Sequence, residues 1–292
     1  MRLIESSYVI VHQDPGLDGI YKQIEKAGRL CYKSEDKICE GSAEKMVNFL
    51  SNRGHGSPLE HGTVYLMISD GLAGAMANDE GTDIIEFYEN NPYSKVNYRY
   101  IGRGVYQNYI TTNYRVLVEN NRLEDLQYLC EPTKYHEKRY SVKITCSRSI
   151  ANEFVRHRVM SFCQESQRYV GYDKEKFGGE VVFIIPDWVK TLTNNLSKDD
   201  FANCQYEEVK CWWEFMRYTE FEYMRLMGLG RKPQEARSVL NNDCKTELMI
   251  TGFASDWIHF FKLRTAVGAH PDARAIACPL EAEFKFRKYV NT

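Results

Sequence analysis

Residues 156–169 read RHRVMSFCQESQRY, the densest run of anion-binding groups in the chain. An arginine stays charged in any protein environment, so Arg156, Arg158 and Arg168 cannot enter an apolar core without carboxylates or a bound anion to answer them. Glu153 and Glu165 are the only acids close by in sequence. Any fold must therefore bring this segment to a surface or a cleft. With His157, Ser161 and Ser166 interspersed, the cluster has the donors to surround a dianionic phosphate. The plainer alternative is a solvated helix end, where the helix dipole favours cations.

The rest of the chain can support such a site. With 292 residues, 43% of them hydrophobic, and a net charge of −2, it can bury the core of one catalytic domain over residues 1–292, with or without an insertion. No basic excess points to nucleic acid. The segment MRLIESSYVIVHQD lacks a basic stretch followed by a long apolar run, and no apolar run of about eighteen residues occurs, so a cytoplasmic protein without signal peptide or membrane span is expected. Nine cysteines with no CxxC pair read as reduced thiols, not as a disulfide framework or zinc site. His55 and His61 lack a third ligand at suitable spacing, and no metal is expected.

Strand and helix signals alternate irregularly, which favours an α+β fold: a mixed or antiparallel sheet with packed helices. Ser7 to Val11 reads as a strand, and Ile20, Ile24, Ala27 and Cys31 share one face of a first helix. Ser42 is a candidate N-cap for a helix carrying Met46, Phe49 and Leu50 that Gly54 would end. Val64 to Ile68, Ser141 to Cys146 and Val181 to Ile185 read as strands, the last stopped by Pro186. Ile150, Phe154 and Val155 give the helix before the arginine triplet an apolar face. The longest helix is expected from Ser197, Asp199 and Asp200 through Phe201, Cys204, Trp212, Phe215, Tyr223 and Leu226 to Gly228 and Gly230, about 30 residues and about 45 Å. Aromatics on more than one of its faces suit subunit packing. Pro233 suits the first turn of a helix bearing Arg237, and Ser255 or Asp256 would cap a helix on which Phe260 and Arg264 share a face.

Residues 69–140 read as an insertion. They hold ten of the chain's twenty tyrosines, with Lys95, Arg99 and Arg103 among them and an apolar-periodic piece at Leu123, Leu126 and Leu129. Tyrosines beside cations can stack nucleic-acid bases, but an interface or a cover over the core is the stronger reading.

The triplet Arg156-His157-Arg158, seven residues, then Ser166 resembles the signature of the flavin-dependent thymidylate synthases, and the match runs on through Gln164, Gln167, Arg168 and Tyr169. Ala236, Arg237 and Leu240 resemble that family's Ala-Arg-x-x-Leu segment. His259, Phe260, Leu263, Arg264 and Ala269 resemble its later helix, and Gly54 to His61 its flavin-contacting block. This resemblance implies reductive methylation of dUMP to dTMP in a homotetramer with active sites between subunits, with methylenetetrahydrofolate as carbon donor and NADPH as reductant through FAD. It makes Arg264 the catalytic residue, a fixed guanidinium that stabilises charge developing on the pyrimidine. Glu153, Arg156, Gln164, Glu165, Ser166, Gln167, Arg168 and Arg237 would join Arg264 in holding dUMP. FAD would be held by Ser57, Glu60, Arg156, His157, Arg158, Val159, Gln164 and His259.

Some positions depart from the family pattern. Phe253 and Ser255 stand where polar flavin ligands are expected, Glu153 and Glu165 replace an amide and an apolar residue, and His270 replaces Gln. Cys163 replaces Asn and reads as a packing variant rather than an attacking thiolate. No Gly-x-Ser-x-Gly elbow supports Ser166 as a nucleophile. The alternative from another class is a nucleotide- or nucleic-acid-binding protein that keeps the arginine pocket without turnover.

Overall fold

The computed structural model describes residues 1–71, 80–175, 178–193 and 198–290. β1 (Arg2–Ile4) and β2 (Ser7–Val11) lead into α1 (Gly16–Tyr32), α2 (Ser42–Asn52) and the single turn α3 (Gly56–Leu59). Then come β3 (Thr63–Gly71), α4 (Glu80–Asn90), β4 (Lys95–Gly102), β5 (Val105–Asn113) and α5 (Tyr114–Glu119). The second half runs β6 (Arg139–Ser147), α6 (Arg148–Phe154), β7 (Ser161–Gln164), β8 (Val182–Ile184), α7 (Asp187–Leu192), α8 (Glu207–Gly228) and α9 (Pro233–Ala236). It ends with β9 (Lys245–Phe253), α10 (Ala254–Arg264) and α11 (Pro271–Phe286).

The strands form an antiparallel sheet in the order β2-β6-β9-β7, a second antiparallel sheet β3-β5-β4, and the parallel pair β1-β8. The fold is α+β with mixed pairing, in line with the irregular alternation of the sequence. Period-two patterning explains how the four-stranded sheet is clothed. Val142, Ile144 and Cys146 of β6 and Leu248 and Ile250 of β9 face α10 and α11, where Trp257, Phe260, Phe261 and Phe284 are fully buried. Met249 points the other way, onto Ala27 and Leu30 of α1 and Cys163 of β7. The first turns of α1 serve a different core, in which Ile20 and Ile24 meet Leu50 of α2 and Leu66 and Ile110 of the three-stranded sheet. Gly62 makes this contact possible, because a Cβ there would lie 2.7 Å from Ile24. A third cluster joins Val209, Trp212, Met216 and Tyr223 of α8 to Phe183, Val170 and Tyr172.

The described residues of the 69–140 stretch contribute to the second core. β5 pairs with β3 without a break from Thr63↔Asn113 to Gly71↔Val105, and Ile84 and Tyr88 of α4 are buried in the same cluster, α4 packing on β3, β4 and β5. Tyr88, Tyr109 and Tyr114 are buried, while Tyr98, Tyr100 and Tyr106 lie exposed near the β4–β5 turn. Leu123–Tyr128 forms a 3-10 segment rather than an α-helix.

Several expected element ends move. α8 has 22 residues, about 33 Å at 1.5 Å per residue, because Tyr206 is extended (φ −91°, ψ 113°). Asp199 and Asp200 belong to a separate 3-10 segment, Lys198–Asn203, and Ser197 lies outside the described residues. Phe201 and Cys204 are anchored in the third core, which holds that segment apart from the helix. The end at Gly228 stands, and α8 leaves Phe215, Tyr218 and Phe221 exposed. Gly41, not Ser42, is the N-cap of α2, and the Ser42 hydroxyl donates to Glu25 at 2.9 Å. Phe253 is the N-cap of α10, and Asp256 reaches back to accept its N–H at 2.9 Å.

Candidate active site

α6 and α10 meet where the arginine triplet begins. The Ser147 hydroxyl accepts from Ile150 N and caps α6, and Ile150 and Phe154 anchor its apolar face in the first core. The chain leaves the helix at Val155, so Arg156 and Arg158 are exposed while His157 turns inward. Arg264, in the last turn of α10, donates from Nε to His157 Nε2 at 2.8 Å. Its Nη1 donates to the Glu153 carboxylate at 2.5 Å and its Nη2 to the Glu153 carbonyl at 2.7 Å. That carbonyl sits in the last turn of α6, where acceptors lack helical partners and a cation is favoured. Phe260, expected to share a helix face with Arg264, packs on the His157 ring at 4.8 Å. The ring beneath the Arg264 guanidinium is Phe154, at 5.9 Å.

The bond from Arg264 settles the state of His157. A guanidinium only donates, so Nε2 must be the acceptor and the ring proton must sit on Nδ1. Burial, reinforced by Arg264 and His259, pulls the His157 pKa down to about 4. The ring is neutral at pH 7. His259 faces it with centroids 6.1 Å apart. Three of the five N–H groups of Arg264 are engaged, and the remainder can meet a carbonyl oxygen and the charge that develops on it.

A second group forms where β7 runs into residues 165–169. Gln164 donates to the Thr246 hydroxyl at 3.3 Å. Glu165 is buried, with its carboxylate 2.8 Å from Lys245 and 3.7 Å from Lys33. Lys33 and Lys245 also hold Glu247, whose carboxyl is lowered to about 2 against the effect of its own burial. Gln167 too turns inward, toward Cys244. Ser166 accepts from the Arg168 backbone N–H at 3.3 Å, and Arg168 lies exposed over the Tyr169 ring. Of this run, only Ser166 and Arg168 offer open groups for a phosphate. Arg237 follows α9 in an exposed 3-10 turn rather than lying within a helix.

The α3 block docks on β7, where the Ser57 hydroxyl donates to the Phe162 carbonyl at 2.7 Å. Cys163 beside it is buried, and burial raises its thiol well above the ordinary range, as suits packing rather than nucleophilic attack. Glu60 accepts from Arg115 at 2.5 Å, with the guanidinium lying against the bare Cα of Gly56. His55 pairs with the Tyr32 hydroxyl and His61 with the Thr251 hydroxyl, each at 2.7 Å. Ser255 donates to Glu137, and Phe253 is buried beside Arg139.

Within one chain, then, Glu153, His157, His259 and Arg264 converge, and Ser57 and Gln164 to Arg168 flank β7. Among the described residues the hydrogen-bond partners of Arg264 are His157 and Glu153, whereas Arg168 lies over Tyr169 and Arg237 in its own 3-10 turn. Arg156 and Arg158 carry no ion pair among the described residues, and Val159 is half-buried beside them. Two unpaired guanidiniums at the end of a helix suit the diphosphate of a dinucleotide cofactor. Lys33, Lys245, Glu247 and Arg115 were not singled out from sequence. The Lys-x-Glu alternation at 245 and 247 was a usable signal, whereas the pairing of Lys33 with Glu165 and Glu247 and of Arg115 with Glu60 is made only by folding.

The profile of the thymidylate synthase complementing protein family matches residues 136–286. Similar chains include a flavin-dependent thymidylate synthase from Pyrococcus furiosus, 32% identical over 142 residues, with 49% of this chain and 52% of the relative covered. Another, from Clostridium tetani, is 30% identical over 145 residues, covering 48% of this chain and 55% of the relative. The chain spans about half the length of the curated relatives it matches. A crystal structure of a UMP/dUMP methylase PolB from Streptomyces cacaoi bound with 5-Br dUMP aligns over 98% of this chain and 93% of that one, at TM-score 0.43 and 19% identity.

Proposed function

The chain belongs to the thymidylate synthase complementing protein family, and from that premise we propose that it methylates dUMP to dTMP, with methylenetetrahydrofolate as carbon donor and NADPH as reductant through FAD. The observation that carries this reading is the Arg264 guanidinium held by Glu153 and a neutral His157. A uracil ring is a weak nucleophile until negative charge on its carbonyl oxygens is stabilised. A guanidinium fixed before substrate arrives supplies that stabilisation without reorganising. Glu153 and His157 position Arg264, and their bonds leave N–H groups to face the pyrimidine.

Arg168, Ser166, Arg237 and Arg156 would hold the nucleotide phosphate, with Gln164 beside the ring. Glu165 and Gln167 would act from behind, by fixing the backbone that presents Ser166 and Arg168. Among the described residues Arg264 and Arg168 share no bonded partner, and a homotetramer with active sites between subunits would let one subunit's Arg264 face another's Arg168. Flavin would be held by Arg156, Arg158, His157, Val159, Gln164, Ser57, Glu60 and His259, and would provide hydride and carbon transfer when bound. Among the described residues no helix is long and apolar enough to cross a membrane.

The test is the visible spectrum of the purified chain, followed by an assay of dTMP formation from dUMP. Flavin absorbance with dTMP production supports the proposal. A colourless chain that takes up no added FAD, yet binds nucleotide, would sink it.

A further inference from the structure

A groove of about 360 Å³ runs between the end of α1, the following turn and α2, lined by Arg29, Tyr32, Lys37, Lys45 and Phe49 over Met46. Among the described residues no carboxylate lines it. The Arg29 charge is answered by Glu25 at 3.0 Å, itself buried and held by Ser42. Lys37 and Lys45 are exposed and carry no ion pair among the described residues. The groove therefore presents two uncompensated ammonium groups beside two aromatic rings.

Those rings continue into a strip of alternating rings and cations. Arg53 lies over Phe49 at 4.6 Å. The Tyr32 hydroxyl bonds His55, and its ring lies 5.8 Å from Tyr169, over which Arg168 sits at 5.5 Å. The strip thus joins the groove to the arginine proposed to hold the nucleotide phosphate. Within this strip the acid Glu35 is already drawn to Lys33, at 3.5 Å.

We infer that this groove is the seat of the anionic, ring-bearing end of a co-substrate: a planar ring stacked on Phe49 or Tyr32, with at least two negative charges on Lys37 and Lys45. Lysine ammoniums are compact charges that bind phosphate or carboxylate as point partners, and exposed rings stack planar groups without demanding one hydrogen-bond pattern. The inference rests on the proposed reaction, whose two co-substrates both have this chemistry. One carries a phosphorylated adenosine, the other a glutamyl tail on an aminobenzoyl ring.

The experiment compares the whole protein with a Lys37→Ala/Lys45→Ala variant and with Phe49→Ala, whose side chains are solvent-facing; thermal melting checks that the fold is kept. KM and kcat are measured for NADPH, NADH, and mono- and triglutamyl methylenetetrahydrofolate, and the Kd of dUMP by calorimetry. The expected result is a rise of about tenfold or more in KM for one co-substrate, with kcat and dUMP affinity unchanged. Loss of preference for NADPH over NADH identifies the phosphate as occupant; loss of preference for the triglutamyl folate identifies the tail. Both KM values within twofold of the parent, or a dUMP Kd that moves with them, would overturn the inference. Calorimetry with adenosine 2′,5′-bisphosphate and with p-aminobenzoyl-triglutamate separates it from the proposed reaction. A chain that binds one of these through the two lysines but forms no dTMP keeps the groove and refutes the reaction, whereas dTMP formation with unaltered KM values refutes the groove alone.

Discussion

Replacing Arg264 with Ala removes three hydrogen bonds at once, to His157 Nε2, the Glu153 carboxylate and the Glu153 carbonyl. A hydrogen bond to a charged group contributes about 1.5–3 kcal/mol, but the Glu153 side chain is 33% exposed, and water would replace part of the ion pair. The buried loss is concentrated at His157 Nε2, so the net destabilisation should be about 2–3 kcal/mol. The pKa of His157 should rise from about 4, since one source of its depression disappears, yet stay below its ordinary value because burial, the largest cause, remains. dTMP formation should fall at least about 100-fold, the usual cost of losing a preorganised donor at developing charge, while reduction of the flavin by NADPH persists. Denaturant unfolding, an NMR titration of the histidines and the two half-reactions measure these separately. Parental turnover in the variant would refute the catalytic role, and an unaltered unfolding midpoint together with an unaltered His157 titration would refute the clamp itself.

Arg168→Ala should lower dUMP affinity about 10- to 100-fold, equivalent to roughly 1.5–3 kcal/mol of charge-assisted bonding; calorimetry showing the parental Kd would place the phosphate elsewhere. Acidification should destabilise the fold, because burial holds His61 near 3 and His157 near 4, whereas the unfolded chain takes up those protons near 6.5. Stability is therefore full above pH 6.5 and falls as the pH drops toward 3–4, by about 1.4 kcal/mol per histidine for each pH unit. Melting temperatures at pH 7.5 and 5.5 should differ, and His61→Asn should flatten the dependence; a melting point constant over that range would mean that neither ring is withdrawn from water.

Local signals were legible where a short pattern has one physical solution. The alternation of Val142, Ile144 and Cys146, the face of Ile20, Ile24 and Ala27, Pro233 at the first position of its helix and the stop at Gly228 all appear in the fold. Continuity was less legible. Nothing local in Asn203 to Tyr206 signals an interruption; it follows from the burial of Phe201 and Cys204 in a core completed by distant residues. Ser42 looked like a cap because Ser caps many helices, but the buried Glu25 on α1 claims its hydroxyl.

By itself, the sequence determined which groups had to be answered: a guanidinium keeps its charge wherever the chain places it, so the cluster at 156–168 demanded a surface, an acid or an anion. Which answer each received was decided only by tertiary structure. Arg264 meets Glu153 across 111 residues and Glu165 meets Lys245 across 80, while Arg156 and Arg158 remain open among the described residues. Ion pairing depends on separation in space and on exclusion of water, and neither is written in the order of residues along a chain.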